Sequence, residues 1–169
     1  YDDFGNLNYV IPPILADKII KENKSMADNS LEVKQYAYLY KYDERNRCIR
    51  KRLPGCDWIY YVYDRTDRLI FTQDGESRKK HEWIYSIPDA LGRIVQTGTC
   101  RNTDISNENY KDKLVIGTYN VEKGYSFSDF IPENRRYFMN NYYDNYDFLT
   151  DRNKELVYED RPGYGKRYN

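Results

Sequence analysis

The sequence predicts a mainly β protein in which antiparallel hairpin repeats form one continuous twisted sheet, with one short helical insert. Three observations point to this fold: abundant tyrosine, a recurring aspartate motif, and apolar runs of strand length. Of the 169 residues, 20 are tyrosine, whose large ring with a polar end suits a half-buried pleated surface better than a helix interior. Alanine, the strongest helix former, occurs at only four positions.

An internal repeat organises the chain. Three copies begin at Asp43, Asp64 and Asp89, which are 21 and 25 residues apart. In each copy an arginine lies four residues after the aspartate, and two mostly apolar residues follow it. These arginines are Arg47, Arg68 and Arg93. Weaker copies begin at Asp2 and Asp144.

The residue three positions after each aspartate indicates a tight turn. It is Gly, Asn or Asp in every copy, and these residue types tolerate a left-handed backbone best. The aspartate side chain can accept hydrogen bonds from backbone amides two residues on, and the left-handed residue then reverses the chain. The predicted left-handed positions are Gly5, Asn46, Asp67, Gly92 and Asp147.

A second reversal is predicted in each copy, at the glycine that follows Pro54, Asp74 or Thr97. Each copy is therefore expected to be a strand, an Asp turn, a strand and a Gly turn, which is one hairpin. Because a lone hairpin cannot bury its faces, we expect the copies to add to a single sheet.

Apolar and aromatic runs locate the strands. Tyrosine occupies every second position from residue 36 to residue 42, which predicts a ladder of rings on one face. Residues 58–63 are apolar or aromatic at every position, as in a central covered strand. The other predicted strand centres are 69–71, 83–85, 94–95, 114–116 and 156–158.

We expect one repeat fragment over residues 1–169, cut from a longer protein because its first residues already belong to a copy. Its expected parts are a partial repeat at 1–9, a helical insert at 10–34, core repeats at 36–98, and a less regular β region with a weak terminal repeat at 99–169.

Two segments depart from the repeat. The insert opens with two prolines, which suit a helix start, so a short helix is predicted over residues 12–22, followed by a polar loop to residue 30. One or two helical turns are also predicted within residues 128–140.

Charge and cysteine content exclude several classes of protein. Lys and Arg together number 27, as do Asp and Glu, so no global field directs the chain to nucleic acid or an anionic membrane. No apolar stretch reaches membrane-span length.

Cys48, Cys56 and Cys100 form neither a disulfide framework nor a zinc-ligand set, and we expect no metal and no cofactor. Five basic residues within 45–52 are expected on a solvated strand face.

The sequence contains no catalytic constellation, so we expect a protein that is not an enzyme. The lone histidine, His81, lies in a charged stretch and is expected at a solvated edge. Residues 163–166 lack the spacing of a phosphate loop. Asp43, Asp64 and Asp89 recur at one turn position, which favours a structural role over acid–base catalysis.

Tyrosine precedes the repeat aspartate in two strong copies. The matching residues are Tyr42, Asp43 and Arg47, then Tyr63, Asp64, Arg68 and Leu69, and then residues 89–93, with residues 1–7 close to the same pattern. They resemble the YD-repeat family, also called RHS (rearrangement hot spot) repeats, and bacterial wall-associated RHS proteins in particular. The resemblance covers residues 36–98 strongly, is supported by 1–9 and 141–149, and is slight over 100–138.

The chain departs from the family pattern at several points. Asn46 and Asp67 stand where the family has glycine, which the turn tolerates. Pro88 replaces a tyrosine, which removes a ring and a donor from the strand ladder. The copies are too few to close a shell, and the cleavage machinery of some members has no counterpart.

The resemblance implies an open segment of a β-sheet ribbon that spirals into a hollow shell. In relatives such shells enclose a C-terminal toxin domain or form part of cell-adhesion ectodomains, and the repeats are often described as carbohydrate-binding. It therefore implies an extracellular or cell-surface location. The implied partners are other segments of the same full-length protein and carbohydrate, with self-association through exposed strand edges.

Two sets of side chains have both a structural and a functional interpretation. The repeat arginines either pair with a neighbouring aspartate or form a basic row that faces a ligand. Six aromatic residues either pack the sheet or form a platform on which the apolar faces of a sugar stack. A structural shell segment is the leading function, and a carbohydrate-binding module is the alternative. The six residues are Tyr36, Tyr38, Tyr40, Trp58, Tyr60 and Trp83.

Overall fold

The computed structural model describes residues 1–23, 25, 27–101, 104–130 and 134–143. In this part of the chain, eight strands form one antiparallel sheet and two more form a separate hairpin. The mainly β fold expected from the sequence is therefore confirmed. The strands are β1 (Tyr9–Val10), β2 (Tyr38–Tyr42), β3 (Cys48–Arg52), β4 (Trp58–Tyr63), β5 (Leu69–Gln73), β6 (Trp83–Pro88), β7 (Ile94–Cys100), β8 (Ile116–Asn120), β9 (Gly124–Ser128) and β10 (Arg136–Asn140).

Short helices connect or cover these strands. The longest has 10 residues, and within the described ranges no helix is long and apolar enough to cross a membrane. The helices are α1 (Pro13–Glu22), α2 (Leu31–Tyr36), α3 (Gly75–Lys79) and α4 (Asn107–Tyr110).

The main sheet follows the order of the chain. From β1 to β7 each strand pairs antiparallel with the next, which is the arrangement that successive hairpins produce. The chain then forms the separate β8–β9 hairpin and returns to add β10 beside β7. Each repeat hairpin therefore extends the same sheet by two strands.

The Asp turns lie together at one end of the sheet. They join β2 to β3, β4 to β5 and β6 to β7, and the pairing register shifts next to each turn. Gly5, Asn46, Asp67 and Gly92 have φ of 82°, 59°, 64° and 83°, so the left-handed prediction is confirmed at these four positions. A left-handed residue that forms a bulge is the usual closure of a three-residue hairpin loop. Asp147 lies outside the described residues.

The connections at the opposite end agree less well with the prediction. Gly55 forms the expected turn between β3 and β4, with φ of 71°. Between β5 and β6 the chain forms α3 instead of a tight turn, and the Asp74 carboxylate accepts a hydrogen bond from the Ser77 amide at 2.7 Å. This helix explains why the spacing from Asp64 to Asp89 is the longer one.

The third predicted reversal, at Thr97 and Gly98, is wrong because both residues lie inside β7. A Cβ atom built on Gly98 would lie 2.3 Å from the carbonyl oxygen of Arg136 and 2.7 Å from the Cα of Tyr137. Glycine is therefore needed here for the close approach of β10, and the turn chemistry of the dipeptide is not used.

The insert contains one predicted helix and one that was not predicted. The helix expected over residues 12–22 is confirmed by α1. The second helix, α2, begins after Ser30, whose hydroxyl accepts a hydrogen bond from the Val33 amide at 3.3 Å. Tyr36 consequently ends a helix, and the expected tyrosine ladder starts only at Tyr38.

The later part of the chain corrects two expectations. The helical turns expected within 128–140 are absent from the described part of that range, because Ser128 ends β9 and residues 136–140 form β10. Of the strand predicted at 114–116, only Ile116 lies in a strand. The predicted terminal turn at 144–147 and the strand at 156–158 fall outside the described residues.

Two hydrophobic clusters lie on one face of the sheet. The smaller joins Leu15 of α1 and Val33 of α2 to Leu39 of β2. Leu39 pairs with Arg52 of β3, and Arg52 pairs with Trp58 of β4, so these three side chains lie on the same face of the sheet. Val62 lies four residues beyond Trp58 on β4 and therefore points to that face too. The larger cluster contains Val62, Ile70, Phe71, Trp83, Tyr85, Ile87, Val95, Cys100, Ile105, Tyr110 and Val115.

Substitution at Gly92 tests the left-handed turn. A Cβ at this position meets no atom within 4 Å, so any cost of Gly92→Ala comes from the backbone conformation alone. We expect Gly92→Ala to lower the free energy of unfolding by about 1–2 kcal/mol, as measured by urea denaturation. The matched control Gly92→Asn should cost less, because asparagine tolerates this conformation. Equal and negligible effects of both variants would contradict the strained turn.

Candidate functional site

The Asp turns form one repeated hydrogen-bonding unit. In the Asp43 turn, carboxylate Oδ1 accepts from the backbone amides of Arg45 and Arg47, both at 3.0 Å. The other oxygen, Oδ2, accepts from the Arg47 Nε at 2.8 Å. A single carboxylate therefore satisfies the amides of the loop and fixes the arginine side chain beside it.

The same contacts recur in the next two copies. Asp64 accepts from the amides of Thr66 and Arg68 at 3.0 and 3.1 Å and from the Arg68 Nε at 3.0 Å. In the third copy, Asp89 accepts from the amides of Leu91 and Arg93, both at 2.9 Å, and from the Arg93 Nε at 2.7 Å. Because the three units match atom by atom, the repeat inferred from the sequence is also a repeat of contacts.

The first and weakest copy uses a different side chain for the same purpose. Asp2 accepts from the backbone amides of Phe4 and Asn6 at 3.0 and 2.8 Å. Asn6 occupies the position of the repeat arginine, and its Nδ2 donates to Asp2 Oδ2 at 3.0 Å. The carboxylate is thus the constant part of the unit, while its side-chain donor varies.

Side chains also link each turn to the next one. The Arg47 Nη1 donates to the Asp64 carbonyl at 3.2 Å and to Asp67 Oδ1 at 2.9 Å. The Arg68 Nη1 reaches the Asp89 carbonyl at 3.3 Å in the same way. The four turns at this end of the sheet, which begin at Asp2, Asp43, Asp64 and Asp89, are here named the turn ladder.

The repeat arginines pair with the aspartate of their own turn, which is one of the two interpretations left open by the sequence. The ion-pair distances are 2.7 Å for Arg47 with Asp43, 2.6 Å for Arg68 with Asp64 and 2.7 Å for Arg93 with Asp89. Arg47 and Arg68 each use a further donor to reach the next turn, so these two guanidinium groups serve neighbouring turns.

Asp64 is the most enclosed member of the ladder. Its side chain is completely buried, and burial raises the pKa of the carboxyl group. The hydrogen bonds from Arg68 and Thr66, together with the positive charge of Arg68, outweigh this effect, so the pKa lies below its ordinary value of 3.8. Asp43 and Asp89 have lowered pKa values through the same balance of burial against arginine and amide hydrogen bonds. All three are therefore carboxylates at neutral pH.

The Asp64 turn also forms hydrogen bonds with the segment that covers the larger hydrophobic cluster. The Arg68 Nη2 donates to the Val115 carbonyl at 2.8 Å, and the Arg65 amide donates to the Lys113 carbonyl at 2.9 Å. Val115 is fully buried in that cluster. The ladder thus positions the covering segment as well as the strands.

The six aromatic residues proposed as a sugar platform do not form one surface. Tyr38 and Tyr40 alternate with the buried Leu39, so they lie on the face opposite the hydrophobic clusters. Trp58, Tyr60 and Trp83 lie on the clustered face, where Trp83 is nearly buried and its ring lies 6.4 Å from that of Phe71. Tyr36, as described above, belongs to α2.

A different group of tyrosines, not predicted from the sequence, lines a cavity of about 350 Å³ beside the third Asp turn. The ring centroids of Tyr119 and Tyr125 are 5.3 Å apart, and Tyr143 contributes a third ring, stacked 4.6 Å from the Arg93 guanidinium. We name this cavity the tyrosine cleft. The sequence signal for the hairpin that builds this cleft was the alternation of Tyr125 and Phe127 directly after Gly124. In the structure Gly124 has a φ of 72°, as a turn glycine would.

The described part of the chain offers little for metal or acid–base chemistry. No group of three His, Cys, Asp or Glu side chains within it could hold a metal ion. His81 is exposed in the loop after α3. Burial raises the pKa of the Cys100 thiol to about 12, so this cysteine is a neutral packing residue at neutral pH.

No family model, curated protein or solved structure matches this chain. The resemblance to YD repeats therefore stays a prediction that rests on the motif residues themselves.

The Asp64 carboxylate should dominate the stability of the ladder. We expect Asp64→Asn to lower the free energy of unfolding at pH 7 by about 3 kcal/mol, because an amide NH₂ would face the Arg68 donors in a buried site. Asp67→Asn is the matched control: it keeps a left-handed-tolerant residue and removes ion pairs whose carboxylate is 57% exposed, so it should cost less than about 1 kcal/mol.

The difference in the free energy of unfolding between the wild type and Asp64→Asn should also depend on pH. A carboxyl group whose pKa is lower in the folded than in the unfolded protein stabilises the fold at pH values above its unfolded-state pKa. This stabilisation is lost as the pH falls through the folded-state pKa. The gap between the wild type and Asp64→Asn in urea denaturation should therefore be full at neutral pH and shrink below about pH 4. A gap that is constant down to strong acid would show that the carboxylate charge does not matter.

Proposed function

We propose that this chain is a non-enzymatic structural segment of an extracellular YD/RHS-repeat shell or surface scaffold. The observation that carries the proposal is the turn ladder, in which Arg47 and Arg68 each bond their own hairpin to the next one. Such a unit can be added repeatedly without changing its contacts, as in other repeat architectures. The resemblance of the motif residues to YD repeats supports the extracellular location.

The two outer strands of the sheet support the same role. β1 and β10 each pair with a single neighbour within the described residues. Large apolar side chains are exposed on both: Val10 at one edge, and Tyr137, Phe138 and Met139 at the other. An unpaired edge with apolar side chains is a template for further strands. We therefore propose other segments of the full-length protein as the main partners.

Self-association of the isolated chain tests this proposal. We expect light scattering to show a mass that rises with protein concentration. Phe138→Lys should reduce this association, because a charged side chain on an outer strand opposes pairing with another strand. Val121→Lys changes an equally exposed apolar residue in the β8–β9 loop and should leave association unchanged. A monomer at all concentrations, or equal effects of both variants, would contradict the scaffold role.

The tyrosine cleft favours a second candidate, a carbohydrate-binding module. Sugars present apolar C–H faces that stack on aromatic rings, while their hydroxyl groups need polar partners. The cleft offers the rings of Tyr119, Tyr125 and Tyr143, with Asp89 and Arg93 in its wall. This site replaces the six-residue platform as the candidate sugar surface.

A glycan array distinguishes the two surfaces. If the cleft binds sugar, Tyr119→Ala should abolish binding that the wild type shows, because it removes a ring from the cleft. Tyr38→Ala, on the opposite face of the sheet, should leave binding intact. Loss of binding with Tyr38→Ala alone would assign the sugar to the other face, and an array without any signal would leave the scaffold role as the function.

A further inference from the structure

The basic run at residues 45–52 does not lie on one solvated face. Arg45 and Arg47 belong to the first strong Asp turn, where both donate to Asp67. Arg50 and Arg52 lie on the face that carries the hydrophobic clusters, because Arg52 is in register with Leu39. Strand alternation places Lys51 on the other face. The expectation of a single solvated face is therefore wrong, and two arginines lie between the clusters.

These two arginines and a third converge on neighbouring aromatic rings. The Cζ atoms of Arg50 and Arg52 lie 4.9 and 5.1 Å from the centroid of the Trp58 ring. The Arg78 Cζ, from α3, lies 4.8 Å from the Tyr60 ring. Trp58 and Tyr60 are alternate residues of β4 and share one face. Three guanidinium groups are thus gathered over two adjacent rings.

The charges of this group are not balanced by the carboxylates around it. Arg78 pairs with Asp57 at 2.8 Å. Lys41, which is in register with Arg50, pairs with Asp28 at 3.1 Å. In the part of the chain that the structure describes, Arg50 forms no ion pair with a carboxylate, and the Arg52 Nη2 donates to a backbone carbonyl, that of Asp28, at 2.6 Å. Hydrogen bonds from Ser77 and the positive charge of Arg78 lower the pKa of Asp74, so a third carboxylate acts on this group and four cations face three carboxylates.

Two donors in the same group lack an acceptor among the described residues. They are the Nε of Arg52 and the Nη1 of Arg78, and both atoms are buried. Arg52 as a whole is only 4% exposed. A buried charged donor without an acceptor is costly, and such groups in native proteins usually have a water or an ion as partner. The site thus has both surplus positive charge and unused donors.

We propose that Arg50, Arg52 and Arg78 bind an oxyanion group of a ligand, either a phosphate or a carboxylate. The planar guanidinium group matches both groups through paired N–H donors. The Trp58 and Tyr60 rings already contact guanidinium groups, so the ligand is recognised by its charge and not by stacking. This site is independent of the scaffold role and of the tyrosine cleft, which lies beside the third Asp turn.

Tryptophan fluorescence tests the proposal, because the chain has two tryptophans and the Trp58 ring lies against Arg50 and Arg52, while its backbone carbonyl accepts from Arg78. Inorganic phosphate and acetate are titrated separately, with chloride holding the ionic strength constant. We expect a saturable change with at least one of the two anions, and Trp58→Phe should remove it. A response to phosphate alone, to acetate alone or to both identifies which oxyanion the site accepts.

Arginine variants decide whether the response comes from this site. Arg50→Gln removes a guanidinium without an ion-pair partner, so the fold should persist while the affinity falls about tenfold, the loss of one charge-assisted contact. Arg45→Gln changes an exposed arginine of the turn ladder and should leave the affinity unchanged. No saturable response, or one that Arg50→Gln leaves intact, would overturn the proposal.

Discussion

The repeat carboxylate is the interaction on which the rest of the structure depends. In each turn it accepts hydrogen bonds from two backbone amides and from the side chain four residues on, and in the second turn it does so in complete burial. Unpaired, such a charge would be strongly unfavourable inside a protein. The arginine that neutralises it then reaches the next turn, so a local requirement of one loop becomes the bond between successive hairpins.

This arrangement explains how a chain with few aliphatic residues builds an extended sheet. The strands are held in register at the turn ladder by polar contacts, and over the residues that the structure describes the buried apolar side chains form two clusters on one face. Arg68 joins the two kinds of interaction, because it bonds the Asp64 carboxylate and also the carbonyl of the buried Val115. The polar ladder therefore fixes both the register of the strands and the position of the segment that covers them.

The sequence could predict those turns and strands that depend only on residues close together in the chain. The turns at Asn46, Asp67 and Gly92 followed from an aspartate and a left-handed-tolerant residue three positions later. Gly98 looks like another turn glycine, yet its role is set by contact with β10, which is distant in the chain. The tyrosine alternation predicted a strand from Tyr36, but Ser30 caps a helix that continues to Tyr36. The tyrosine cleft depends on where the β8–β9 hairpin packs, and no local pattern contains that information.

Titration of the aspartate carboxyl groups by nuclear magnetic resonance tests the central claim most directly. It reports, for each turn, whether the hydrogen bonds and the arginine outweigh the effect of burial. The account predicts that the pKa values of Asp43, Asp64 and Asp89 lie below the ordinary value of 3.8. A pKa of Asp64 above that value would contradict it, because burial would then dominate and the ladder would not be held by a carboxylate–arginine pair.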